Sequence, residues 1–88
     1  MNTRHVILGL LSRQPMSGYD IRIWFKELEC LIDAPSFGSL YPTLHALLDE
    51  GLVSVSVEPG DGKPPRKLYT ATEEGREELE RWLQEPQT

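Results

Sequence analysis

The sequence predicts a mainly α domain with one small β-hairpin, its elements in the order α-α-α-β-β-α. Three observations carry that prediction. Apolar residues recur at helical spacing in three successive stretches before Gly51. Val53, Val55 and Val57 then alternate with Ser54 and Ser56, the period of a half-buried strand. Finally, Thr72-Glu73-Glu74 opens a last helical stripe of Leu79, Trp82 and Leu83.

Thr3 caps a first helix that runs to about Ser12, with Val6, Ile7, Leu10 and Leu11 at helical spacing. Pro15 stops it, because the residue before a proline avoids the α region. Ser17 and Asp20 have the three-residue spacing of a capping box, so a second helix begins there. Ile21, Trp24, Phe25 and Leu28 form its apolar face, and both aromatics are read as core. Residues 31–35 connect to a third helix over 36–50, which Ser36 or Ser39 caps. In it, Leu40, Leu44, Leu47 and Leu48 fall on one face. Pro42 is tolerable in the first turn, where its missing N–H is not needed. Gly51 is the expected left-handed stop.

Residues 58–65 read as a Pro- and Gly-rich loop at the hairpin tip. Lys67 to Thr72 resumes a strand, with Tyr69 and Ala71 on one face. The last helix spans 73–85 and Pro86 limits it. Its stripe either packs on the first helix or forms a dimer contact.

At 88 residues the chain makes one small domain. Such a domain buries only about 60% of its unfolded surface, so association would add useful burial. Fourteen acids outnumber nine basic residues, for a net charge of −5. The imbalance is local. Up to Thr72 there are seven basic and eight acidic residues, and from Glu73 onward two and six. The acidity therefore counts less against a nucleic-acid partner than the net charge suggests. The single Cys30 excludes an intrachain disulfide and a four-cysteine zinc site, and fits a reducing cytoplasm. No apolar run approaches a membrane span. Neither a Gly-rich phosphate loop nor an H-E-x-x-H pattern occurs, and His5 and His45 have no nucleophile or acid at motif spacing. An enzyme is therefore not expected, nor a cofactor or metal.

Three helices followed by a hairpin are the parts of a winged helix-turn-helix, in which the third helix is offered to the major groove and the hairpin is the wing. The face of that helix opposite its leucines carries Ser39, Tyr41, Pro42, Thr43 and His45 and is nearly uncharged, unlike an ordinary solvated face. Five blocks in order extend the likeness. They are Ile7-Leu8-Gly9-Leu10-Leu11, Ser17-Gly18-Tyr19-Asp20-Ile21, the run from Ser36 through Gly38-Ser39-Leu40-Tyr41-Pro42-Thr43-Leu44, Glu50-Gly51-Leu52-Val53, and Tyr69-Thr70-Ala71-Thr72-Glu73-Glu74-Gly75-Arg76. Together they resemble the PadR-like transcriptional regulators over almost the whole chain.

That resemblance implies a cytoplasmic, dimeric repressor that binds double-stranded promoter DNA and releases it when a small aromatic effector binds. It implies phosphate contacts from Ser36, Ser39 and Tyr41, and an approach to base edges by Pro42, Thr43 and His45. Tyr19 would touch the backbone, and Lys63, Arg66 and Lys67 would be the basic positions of the wing. Three such residues per wing, doubled in a dimer, give a salt slope of about −5 if all engage. Family members commonly carry an arginine just after the position of His45, where this chain has Ala46. With no Lys or Arg in the third helix, a bidentate contact to guanine is not available from it. Readout would rest on Thr43, His45, apolar contact and DNA shape. In the larger PadR-like subgroup, a Trp-Leu-x-x-Pro segment similar to Trp82-Leu83-Gln84-Glu85-Pro86 precedes a helical dimerisation domain. The chain is therefore expected to be one winged-helix domain over 1–88, separable from such a C-terminal domain. The competing reading is a winged-helix module for protein contacts, without sequence-specific DNA binding.

Overall fold

The computed structural model describes residues 3–31 and 37–85, with the side chains of 29–31 and 37 left aside. Ser36, most of the connection read at 31–35, and Pro86 lie outside the described residues. Within them the order is α1 (Thr3–Arg13), α2 (Gly18–Leu31), a 3₁₀ turn (Phe37–Ser39), α3 (Leu40–Asp49), β1 (Val53–Gly60), β2 (Lys63–Ala71) and α4 (Glu73–Gln84). This is the predicted sequence of elements. α1 lies at the centre and contacts α3, α4 and β2.

One core joins them all. Ile7, Leu8 and Leu11 of α1 meet Ile21 and Phe25 of α2, Leu40, Leu44 and Leu47 of α3, and Val53 and Ala71 at the root of the hairpin. Each large side chain so buried contributes about 1.5–3 kcal/mol. Trp24 is a correction to the expected core, being 45% exposed. Ile21, Phe25 and Leu28 already supply the buried stripe of α2, and Trp24 falls on its flank.

The helix ends follow local chemistry. The Ser17–Asp20 capping box forms as its spacing requires. Asp20 N–H donates to Ser17 Oγ at 3.1 Å, and Ser17 N–H donates to Asp20 Oδ2 at 3.2 Å. Gly51, at φ +77°, ends α3 in a Schellman turn. Leu52 N–H reaches the Leu47 carbonyl at 3.0 Å, and Gly51 N–H reaches that of Leu48 at 3.1 Å. Thr72 caps α4 by accepting from Gly75 N–H at 3.1 Å. Such a cap contributes about 1 kcal/mol.

The expected caps at Thr3 and Ser39 are corrected. Their hydroxyls share a 2.7 Å hydrogen bond that ties α1 to the start of α3. Ser39 holds the N-cap position but makes no side-chain cap bond. With φ −94° and ψ −7° its backbone is already helical, whereas a capping side chain needs an extended residue. Accordingly, regular helix begins at Leu40 rather than 36, behind the 3₁₀ turn.

The hairpin also differs from expectation. The span 58–65 is not a loop. Strand pairing runs from Val53↔Ala71 out to Gly60↔Lys63, and only Asp61-Gly62 makes the turn, with Gly62 at φ +72°. The register shifts between Glu58 and Gly60, so Pro59 opposes both Pro64 and Pro65. Proline is tolerated at such a bulge because no ladder hydrogen bond is lost. A further pairing is added by Met16, whose N–H and carbonyl both bond Tyr69, at 3.0 and 2.7 Å. The alternating valines do not all face a core. Val53 is buried, but Val57 is 62% exposed, because the ribbon extends beyond the helices.

Candidate nucleic-acid interface

Burying Leu40, Leu44 and Leu47 fixes which side of α3 looks outward. Tyr41, Pro42, His45 and Ala46 are exposed there and Thr43 is half-buried. Apart from Asp49 in the last turn, this face carries no carboxylate. Tyr41 N–H and Pro42 lie in the first turn, where the helix dipole is positive. Ser39 is half-buried and engaged with Thr3. Ser36 lies outside the described residues.

The start of α2 adjoins this face. Gly18 lies beside the Tyr41 ring, where an added Cβ would sit 3.7 Å from its Cε1. The next residue, Tyr19, is 70% exposed, the most of any large apolar or aromatic side chain among the described residues. Tyr19 thus follows directly on the glycine that borders the Tyr41 ring.

The wing residues are not equivalent. Lys63, Arg66 and Lys67 are all exposed. Strand alternation places Lys67, opposite Val57, and Arg66, opposite Glu58, on different faces of the ribbon. Arg66 alone is tied to the body: its Nη2 donates to Asp20 Oδ2 at 3.2 Å. The sequence marks Asp20 as a capping acid, but no local signal links it to a residue 46 positions away.

A second ionic cluster fixes the other end of α3 and has no signal in the sequence either. Arg4 of α1 donates to both oxygens of Glu50, at 2.8 Å each, and to both of Glu78 on α4, at 2.7 and 2.8 Å. These hydrogen bonds raise the Arg4 pKa further and hold the carboxyls of Glu50 and Glu78 below their ordinary value. Next to it His5 stacks on Trp82, with ring centroids 4.3 Å apart and planes at 10°. Burial pushes its imidazole below the ordinary histidine value, against the opposing charge of Glu78. Trp82 and Leu79 therefore pack within the domain, whereas Leu83 is exposed.

Among the described residues there is no group of His, Cys, Asp and Glu able to hold a metal, and no helix long and apolar enough to cross a membrane. What the surface offers is a neutral helix face, two tyrosine hydroxyls and a basic ribbon, which suits a polyanion read by shape and backbone.

The chain is 38% identical over 80 residues to the negative transcriptional regulator PadR of Bacillus subtilis (strain 168), covering 91% of this chain and 44% of that protein. It superposes on the PadR-like transcriptional regulator BC1756 from Bacillus cereus with a TM-score of 0.87 and 42% identity, over 100% of this chain and 49% of that one. Bacillus subtilis PadR in complex with operator DNA gives a TM-score of 0.82 and 37% identity, over 97% and 48%. The same Bacillus subtilis protein has been solved with p-coumaric acid, with a TM-score of 0.78 and 35% identity, over 97% and 46%. The chain thus spans about half the length of these relatives. Residues 7–81 match the transcriptional regulator PadR-like family, and the chain belongs to it.

Proposed function

We propose that this chain is the DNA-binding part of a cytoplasmic transcriptional repressor that works as a dimer. The observation that carries the reading is the exposed face of α3, which holds no Lys or Arg and no carboxylate before its last turn, together with an exposed Tyr19 and the exposed Lys63, Arg66 and Lys67 of the ribbon. Its likeness to a regulator solved on operator DNA supports the same reading. In this proposal Tyr41, Tyr19, Ser36 and Ser39 meet phosphates, Pro42, Thr43 and His45 face base edges, and Lys63, Arg66 and Lys67 track the flanking backbone. Residues 1–88 act as one winged-helix unit. Dimerisation, which sets two α3 helices about one helical turn apart, is assigned to a further domain.

The test is a salt titration of binding to a labelled duplex of roughly 30 base pairs. Lys63→Glu with Lys67→Glu is expected to weaken binding at least tenfold, and to flatten the slope of log affinity against log salt. Unchanged affinity across all duplexes tried would sink the reading in favour of a protein-interaction module.

A small aromatic effector belongs to the same proposal. A groove of about 230 Å³ between α1 and α2 is lined by Leu10, Arg13, Gln14, Met16 and Trp24. An exposed indole face with a nearby guanidinium suits a planar aromatic acid. Such an acid, p-coumaric acid for example, should quench tryptophan fluorescence in the wild type and less so in Trp24→Leu. A flat response in the wild type removes the effector from the proposal.

A further inference from the structure

Asp20 stands out as an acid beside a surface proposed for DNA. It follows the exposed Tyr19 in sequence, and its carboxylate contacts Arg66 of the wing. A carboxylate there ordinarily repels phosphate, so its presence calls for a use.

Two bonds fix its position. The capping box holds Asp20 at both backbone and side chain, so the carboxylate is an anchored acceptor rather than a mobile one. Oδ2, which accepts Ser17 N–H, also accepts Arg66 Nη2 at 3.2 Å. Nearby, the Met16–Tyr69 bridge fastens β2 to the residue just before the box. The wing root therefore has two attachments to the start of α2, one through backbone at Tyr69 and one through charge at Arg66. Beyond Arg66 the ribbon's own pairing continues out to Gly60↔Lys63. The guanidinium is a planar fork of five N–H donors, and Asp20 engages it from one side only. The remaining donors can meet a phosphate while the contact with Asp20 persists.

We infer that Asp20 is a positioning residue for DNA binding: it anchors Arg66, and with it the wing, in register with the Tyr19 and Tyr41 surface, and does not act as a repellent charge. This inference rests on the DNA-binding reading above, and it predicts the opposite sign from simple electrostatics. Removing a negative charge next to a phosphate-binding surface should strengthen binding. Loss of the anchor should weaken it.

The test variant is Asp20→Asn, which keeps an acceptor for Ser17 N–H, and so the cap, but removes the charge that holds the Arg66 guanidinium. Two measurements are made. First, without DNA, amide order parameters over residues 56–68 should fall in Asp20→Asn while those of α3 stay unchanged. Second, affinity for the duplex should fall about fivefold in Asp20→Asn, and the same substitution should have no effect in an Arg66→Ala background. A wing as ordered as wild type overturns the inference whether or not the protein binds DNA. Equal or tighter binding by Asp20→Asn also overturns it, as does an undiminished effect in the Arg66→Ala background. A wild type that binds no duplex would instead count against the DNA reading, with the wing measurement still deciding the anchoring role.

Discussion

Gly75→Ala is expected to destabilise the domain by about 2–4 kcal/mol, although the same change in an exposed helix normally stabilises it. Gly75 is the third residue of α4 and is buried. A Cβ there would collide with the Leu52 carbonyl oxygen and lie 3.2 Å from Leu8 Cδ2. The obstacle is backbone, held on both sides. Leu52 N–H closes the Schellman turn of α3, and the Leu52 carbonyl accepts from Thr72 N–H at 3.0 Å. Moving Leu52 away would therefore disturb the end of α3 and the cap of α4 together. The melting temperature should fall by roughly 10–25 °C for a domain of this size. Gly9→Ala is the control, since a Cβ at Gly9 has nothing within 4 Å. It should melt at or above the wild type. If Gly75→Ala melts as the wild type does, the close approach of α4 to Leu52 is wrong.

The largest expected effect on binding comes from Pro42→Glu. Pro42 is exposed, three residues past the N-cap position of α3. An acid at that point interacts favourably with the helix dipole, so folding should change by no more than about 1 kcal/mol. Binding should behave in the opposite way. The carboxylate would stand where a phosphate or a base edge is proposed to approach, and like charges forced together cost several kcal/mol. Affinity for the duplex is expected to drop about 100-fold. Fluorescence anisotropy measures the binding and thermal melts check the fold. A variant that keeps both stability and affinity would place the DNA on some other face.

Much of this architecture could be read from the sequence because it depends on local spacing. Ser17 and Asp20 are three apart, the leucines of α3 repeat every turn, and Gly51 follows the last of them. Those signals need no knowledge of the rest of the chain. The misread features depend on what happens elsewhere. Pro59, Pro64 and Pro65 suggest a loop until pairing sets them opposite one another at a bulge. Val57 alternates like a core residue, but the ribbon has outrun the helices by then. Trp24 reads as core only if its neighbours leave room for it. At the candidate interface, the exposed face of α3 and the basic wing were legible as residue types. The ties that orient them were not. Arg66 meets Asp20 from 46 positions away, and Arg4 gathers Glu50 and Glu78 from 46 and 74. Charged residues are common on any surface, so nothing in the sequence singles out these pairs.

A two-stranded ribbon has two open edges, and each is a template on which another chain can add a strand. Here Met16 takes up one edge at Tyr69. The other edge runs along β1, where Val53, Val55 and Val57 would otherwise invite amyloid-like growth. Pro59 withholds a donor from that edge, the bulge breaks its flatness, and Glu58 adds charge just before it. The arm that reaches farthest from the core is thereby protected against self-assembly, by a backbone bridge near its root and by proline near its tip.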